Sequence, residues 1–428
     1  MKNGTQLATL LVWAALTGGG CDSEPTSPEP VEASEAPVAA SAKLDAARVE
    51  QLRALGYVDT SSSVADPSKS GAVILDPDSV SPGYSLYVAP FDCAAYLIAL
   101  DGTVVKTWRD ELRFDGRTRA CKRWQQADLL PDGDLLIPLE GRPRPGQKVG
   151  SALLRLGWDG EIVWRRPLSA HHDAEQAPDG RIVALARAVR RDPDFDPAHR
   201  VLDNLLLFVS SDGRRIERRI SLYDALRDND LGLELQPRAP RPGTDIIDLF
   251  HANSVETLRD PALADRHPLY TPGNLLVSVR HQDAILIVDP ETERLVWLWG
   301  PGELSGQHDA QMLPNGNVLV FDNGLDRGWS RVIELDPVKK TIEWQYGSGG
   351  PDAFFTGGRG SAQKLPNGDV LVANSNEGEA FEVTPDGRVV WRFYRPEIGD
   401  DGHREVIVRM VRYPSGPIEA RLASEGRP

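Results

Sequence analysis

Apolar and polar positions alternate along most of this chain in runs too short for helices. Four of these runs follow a Pro-Asp-Gly or Pro-Asn-Gly turn: residues 134–137 after Pro131-Asp132-Gly133, 181–185 after Pro178-Asp179-Gly180, 317–321 after Pro314-Asn315-Gly316 and 369–373 after Pro366-Asn367-Gly368. In each tripeptide proline presets the entry to the turn and glycine accepts a positive φ. A second strand pair follows in residues 151–164, 284–297, 330–344 and 380–391, and these segments end on Trp164, Trp297, Trp344 and Trp391. A tryptophan at the same place in each unit reads as packing between neighbouring units. Four short strands recurring over about 40 to 55 residues are the signature of a propeller blade. The pattern therefore predicts an all-β, six-bladed β-propeller of four-stranded blades over residues 80–416. Its units start near Tyr84, Trp124, His171, His251, His308 and Gly360. The first unit is short by one strand, and the alternating segment 404–413 is expected to supply it and close the ring. Residues 192–203 and 223–248 interrupt the repeat as long insertions.

The first residues break this pattern. Lys2 and the apolar run 7–16 have the form of an export signal, and Leu16-Thr17-Gly18-Gly19-Gly20-Cys21 places small residues ahead of a cysteine. Residues 1–21 are thus expected to be a lipoprotein-type signal peptide with Cys21 as the lipidated residue, giving an anchored rather than membrane-spanning protein. Residues 22–42, rich in Pro, Glu, Ser and Ala, read as a disordered tether, and the spacing of Leu44, Val49, Leu52 and Leu55 predicts a short amphipathic helix over 43–60. The expected location is outside the cytoplasm, in the periplasm or at the cell surface. There an even pair of cysteines, Cys93 and Cys121, is expected to form a disulfide. The formal net charge of −15 disfavours nucleic acid as a partner, so any anionic ligand needs a local basic pocket.

Counting back from the turn prolines supplies candidate chemistry. Six residues before Pro131, Pro178, Pro314 and Pro366 lie Gln125, His172, His308 and Gly360, and His251 begins the equivalent strand of the fourth unit, with Asn253 on the same side. Starts of innermost strands converge on one mouth of the channel. The links between second and third strands open on that rim too, and they carry Arg280, His281 and Asn323. Four of the eight histidines fall in this small set of positions. No tight His-x-His or Glu-x-x-His spacing occurs among them, and no metal or other cofactor is expected.

These residues carry a resemblance. The stretch His308-Asp309-Ala310-Gln311-Met312-Leu313-Pro314-Asn315-Gly316-Asn317 with Phe321-Asp322-Asn323-Gly324 is similar to the bacterial arylsulfotransferases. So are His251-Ala252-Asn253-Ser254, Ser278-Val279-Arg280-His281-Gln282-Asp283-Ala284 and the closing Arg409-Met410-Val411-Arg412-Tyr413-Pro414. The resemblance spans about residues 84–414. It implies a periplasmic six-bladed propeller that moves a sulfuryl group from an aryl sulfate donor to a phenolic acceptor without a nucleotide. It further implies that His308 becomes transiently sulfated, that His251, Arg280 and His172 act with it, and that Asn253, with His281 and Asn323 nearby, meets the substrate.

Two other classes share parts of the pattern. A quinone-dependent propeller dehydrogenase would need a calcium site of carboxylates and amides beside a stacking tryptophan, and no clear set of those is present. A non-enzymatic, lipid-anchored propeller that binds a partner or carbohydrate on its rim would need no covalent step at His308.

Overall fold

Six antiparallel sheets succeed one another around a central channel in the computed structural model, which describes residues 60–114, 118–142, 150–227, 229–347 and 354–425. The expected signal peptide, Cys21, the tether and the helix at 43–60 lie outside the described residues, apart from residue 60. Among the described residues no helix is long and apolar enough to cross a membrane.

The protein is a six-bladed β-propeller. Blades 4 and 5 have the plain four-stranded form: Ala252–Thr257, Leu275–Val279, Ala284–Asp289 and Arg294–Trp299, then His308–Met312, Val318–Asp322, Arg331–Asp336 and Thr341–Tyr346. Blade 2 runs from Cys121–Trp124 to Ile162–Pro167, and blade 3 from Ala170–Gln176 to Ile216–Ser221. Blade 1 is completed as the alternation predicts, because Met410–Tyr413 pairs with Tyr84–Ala89 as its innermost strand. The junction is sealed by Arg412, buried against Glu382 of blade 6 and donating to the Ser81 carbonyl at 3.0 Å. Blade 6 carries a strand the alternation did not reveal: Gly71–Ile74 pairs with Val389–Tyr394 at its outer edge. A helix, Ser415–Ser424, follows the closing strand and buries Ile418 and Leu422 against blades 1 and 2.

Each Pro-Asp/Asn-Gly turn works as its residues dictate. In blade 5 Gly316 has φ +91° and the Asn315 carboxamide accepts from the Asn317 amide at 2.9 Å. The recurring tryptophans fasten each blade to the next. Trp297 Nε1 donates to the Pro337 carbonyl (2.8 Å), Trp344 to Pro385 (2.9 Å) and Trp391 across the closure to Leu100 (2.8 Å). Trp108, at the end of blade 1, reaches the Gly157 carbonyl at 3.2 Å in the same way. Blade 3 departs from this rule on both sides. The Trp164 ring lies over Gly213 with no partner for Nε1 among the described residues, and Arg218 replaces the tryptophan, pairing with Glu291 and Glu293 of blade 4.

A second fastening runs near the axis, where innermost strands present an unpaired edge. Side chains of one blade accept the free amides of the next: Asp173 from Val255 (2.9 Å), Ser254 from Ala310 (3.2 Å), Asp309 from Ala362 (3.0 Å) and Ser361 from Met410 (3.4 Å). Each of these acceptors immediately follows a predicted rim position, so the ring of bonds also fixes where the rim side chains stand. The Cys93–Cys121 disulfide joins blade 1 to the first strand of blade 2.

Candidate active site

The innermost strands do not enter the channel as regular β-structure. His172, His251, Asp309 and Arg359 have φ of +55°, +49°, +52° and +62°, and the strand pairing of blades 3, 4 and 5 slips at these points. Non-glycine residues in this region are strained, and such strain collects at functional sites. Its effect here is to turn one or two side chains per blade into a cavity of about 670 Å³ at the channel mouth. That size suits a small organic ligand.

His308 opens blade 5 and is 8% exposed. Its Nδ1 lies 2.7 Å from Asn323 Oδ1 and 3.1 Å from the Gly306 carbonyl. Asn323 is oriented in turn, since its amide nitrogen donates to the Thr356 (2.7 Å) and Arg359 (2.8 Å) carbonyls. Both groups facing Nδ1 are acceptors, so Nδ1 carries the proton and Nε2 keeps its lone pair toward the cavity. Burial, with the charge of Arg280 beside it, holds His308 well below the ordinary histidine range. It is a neutral base at neutral pH.

Arg280, 2% exposed, stands at the end of the second strand of blade 4. Its guanidinium donates to the Gly357 carbonyl and to His281 Nε2, both at 3.2 Å. His281 donates from Nδ1 to the Asp248 carbonyl (2.6 Å), and burial together with His251 and Arg280 keeps it neutral. His251 Nδ1 is 2.8 Å from the Asp248 carboxylate. Burial lowers His251 while Asp248 opposes the shift. Asp248 itself, which burial alone would raise, is held well below the carboxylate range by His251, His281 and Arg187. From His281 a row of imidazoles crosses into blade 3, with ring centroids 4.7 Å apart to His251, 4.8 Å on to His172 and 5.1 Å on to His171. His171 and His172 approach through their Nδ1 atoms at 2.8 Å, so one donates and the other accepts. Burial pushes both well below the usual histidine value.

Asp248, His251 and His281 bring ligand-type atoms within 4.8 Å of one another. Their bonding suits structure better than a cation. Both Nδ1 atoms are committed to Asp248, and His281 Nε2 faces the Arg280 guanidinium, whose charge repels a metal ion.

The cavity is strongly cationic in an acidic protein. Lys122, Arg123, Arg187, Arg241, Arg280, Arg359 and Arg409 line it, against Glu140 and Asp309. Phe91 and Trp124 add aromatic surface. At the floor Arg409 lies 3.3 Å from Asp128 and 3.7 Å from Asp309. Burial raises Asp173 to about 8, with Asp128 adding to the shift and Arg409 opposing it. Such an arrangement has the charge to hold an anion and the aromatic surface to pack a ring, with a neutral imidazole among the lining residues.

A family model described as "Arylsulfotransferase (ASST)" matches residues 126–395, more than half of the chain. The chain belongs to the arylsulfotransferase family. The matched stretch carries His172, His251, Arg280 and His308 together, and the arylsulfotransferase fold brings all four to one cavity. No curated protein matches the chain. Among solved structures, a protein of unknown function from Bacteroides caccae is 14% identical, covering 77% of this chain and 98% of that chain with a TM-score of 0.48. Virginiamycin B lyase from Staphylococcus aureus, as an inactive variant with quinupristin, is 12% identical over 76% of this chain and 89% of that chain, with a TM-score of 0.42.

Of the positions read from the sequence, His172, His251, Asn253, Arg280 and His308 line the cavity. Asn253 also bonds the Gln307 carbonyl at 2.8 Å, and its Oδ1 has no partner among the described residues. His281 and Asn323 stand behind the lining, one against Arg280 and the other against His308. Sequence reasoning missed Asp248, His171, Trp124, Arg187, Arg241 and Arg359. The same count from the turns places Trp124, His171 and Arg359 seven residues before their prolines, one step from the positions chosen. That register was a usable signal for these three; Arg187 and Arg241 had none.

Proposed function

We propose that the protein is a nucleotide-independent aryl-sulfate sulfotransferase that passes a sulfuryl group between phenols through a sulfohistidine at His308. The observation that carries the reading is His308 itself. Its Nδ1 is occupied by Asn323 and Gly306, its lone pair is turned to a cationic cavity, and Arg280 stands beside it.

Sulfuryl transfer spreads negative charge over three outer oxygens in an in-line displacement, as phosphoryl transfer does. Arg280, always charged, and His251, in its protonated form, hold those oxygens. The bound ester's negative charge offsets the burial that keeps His251 neutral. His308 Nε2 attacks sulfur, the S–O bond to the aryl group breaks, and the leaving phenolate takes a proton from His172, which burial keeps neutral in the free protein and which takes up that proton from solvent as the anionic ester binds. The acceptor phenol then returns a proton to His172 as its oxygen attacks sulfur, and the N–S bond breaks to free neutral His308. Asn253 contacts the substrate, and Phe91 and Trp124 offer surfaces to its ring. The export signal and Cys21 extend the proposal to a lipid-anchored enzyme of the periplasm or cell surface.

The test is incubation of the soluble protein with p-nitrophenyl sulfate, with and without phenol. Phenol-stimulated nitrophenolate release and a sulfated peptide containing His308, both lost in His308→Asn, are expected. A folded protein that is silent across a panel of aryl sulfates and forms no sulfopeptide refutes the reading.

A further inference from the structure

The reaction just described uses the Arg280 end of the imidazole row. The other end, at His171, meets a second pair of cations with no assigned task. Arg187 sits at the top of the second strand of blade 3 (Ile182–Arg190), and Arg241 comes from the long insertion before blade 4. Both line the cavity. Neither guanidinium has an ion pair or hydrogen bond among the described residues, whereas neighbouring Lys122 and Arg123 share Glu140 at 3.6 and 2.8 Å. Both are half-buried, and Arg187 feels the other's charge. Burial lowers the Arg187 pKa, with the charges of Arg241 and Arg123 adding to the effect and Asp248 opposing it. Backbone pairing sets it beside the His171 end of the row: Ala186 lies opposite Ala170, and the Arg187 amide donates to the Ser169 carbonyl at 3.0 Å, two residues from His171.

Two adjacent arginines without partners in a recessed wall are expensive to maintain unless a ligand supplies the counter-charge. The protein has an excess of carboxylates, with a formal net charge of −15, yet none among the described residues is paired with these two. An arginine fork matches a planar carboxylate or a tetrahedral oxyanion through paired N–H bonds. Resting on the sulfotransferase reading, we propose that Arg187 and Arg241 form a second anion subsite, selecting aryl substrates that carry an acidic group besides the sulfate ester or phenol. The shared chemistry is an aromatic ring with two poles, one reacting at His308 and the other, a carboxylate or comparable oxyanion, held at blade 3.

The experiment compares 3-(4-hydroxyphenyl)propanoate with its methyl ester as acceptors, and the O-sulfates of the same pair as donors. Within each pair the reacting oxygen is nearly equivalent and only the remote charge differs. A charge-assisted arginine contact predicts that the acid exceeds the ester in kcat/KM by about 10- to 100-fold. That ratio falls toward one in Arg187→Gln and further in the double variant with Arg241→Gln. A preference confined to the acceptor or the donor series says which substrate brings the acidic group. Equal rates for acid and ester, or a preference that both variants retain, overturn the proposal. Calorimetric titration of the acid and the ester into wild type and double variant separates this question from catalysis. Acid-selective binding lost in the variant upholds the subsite even if no sulfate is transferred, and the absence of such binding sinks it.

Discussion

Replacing Asn323 by alanine isolates one element of the site, because Asn323 touches His308 and not the cavity. The side chain is fully buried and makes three bonds: Oδ1 with His308 Nδ1 at 2.7 Å, and Nδ2 to the Thr356 and Arg359 carbonyls at 2.7 and 2.8 Å. Its removal leaves two buried carbonyls without a donor, at a cost of about 2–4 kcal/mol in stability. It also leaves Nδ1 with only the 3.1 Å contact to Gly306. A lost hydrogen bond of about 1–1.5 kcal/mol shifts the tautomer ratio by about tenfold toward the form whose Nε2 carries the proton and cannot attack. The first half-reaction is therefore expected to slow by about 10- to 100-fold, with the looser imidazole accounting for the upper end. Single-turnover release of nitrophenolate measures that step, and thermal unfolding shows that the variant is folded at the assay temperature. The decisive readout is 15N NMR of the His308 ring. Wild type should show Nδ1–H, and the variant a mixture. Wild-type burst kinetics in the variant, or an Nε2–H tautomer in wild type, would refute this account of how His308 is prepared.

Three further outcomes follow from the geometry. Arg280→Lys keeps a charge but loses the planar fork that reaches Gly357 and His281, so kcat/KM for an aryl sulfate should fall about 100-fold, read by steady-state kinetics. Reducing or deleting the Cys93–Cys121 bond, which spans 28 residues, should lower unfolding free energy by about 3–4 kcal/mol in denaturant titrations. Burial, aided by Glu175, raises Glu256 to about 8. The folded state thus holds a proton that the unfolded chain has released, and stability falls with rising pH between about 4.5 and 8. Glu256→Gln should remove its share of that slope while Asp173 keeps its own, so the variant gains on wild type toward pH 8 and loses the advantage near pH 4.5, as urea midpoints across pH would show.

The blades were legible because their determinants are local. A Pro-Asn-Gly turn with its Asn315-to-Asn317 bond, and a tryptophan closing each unit, need only neighbouring residues to be recognised. Gly71–Ile74 was not legible, since its partners at Trp391–Tyr394 are more than three hundred residues away and its own pattern is weak. Helix Ser415–Ser424 starts Ser-Gly-Pro and offers only Ile418 and Leu422 as a buried stripe, so its existence depends on the surface beneath it. In the site, register arithmetic found His172, His251 and His308 because those positions repeat from blade to blade. It set His281 and Asn323 on the same rim, but counting positions cannot tell a side chain that faces the cavity from one that braces a neighbour, as His281 does Arg280 and Asn323 does His308. Arg187 and Arg241 escaped for another reason. One lies late in an extended strand and the other in an insertion, where no repeat marks them.

The way tryptophans join the blades has a consequence for how the molecule yields. An indole bonded to a backbone carbonyl is neutral at both ends, so dissolved salt hardly weakens the seams at Trp108, Trp297, Trp344 and Trp391. The seams on either side of blade 3 are built otherwise: one is a ring resting on Gly213, the other a set of solvent-facing ion pairs between Arg218 and Glu291 and Glu293. Exposed pairs of that kind contribute little and are screened. Blade 3, which carries His171, His172 and Arg187, is held instead by apolar side chains shared with blades 2 and 4 and by the Asp173–Val255 bond. The parts of these seams that salt can reach are the parts that carry least, so the ring of blades and the cavity mouth should keep their shape as ionic strength rises.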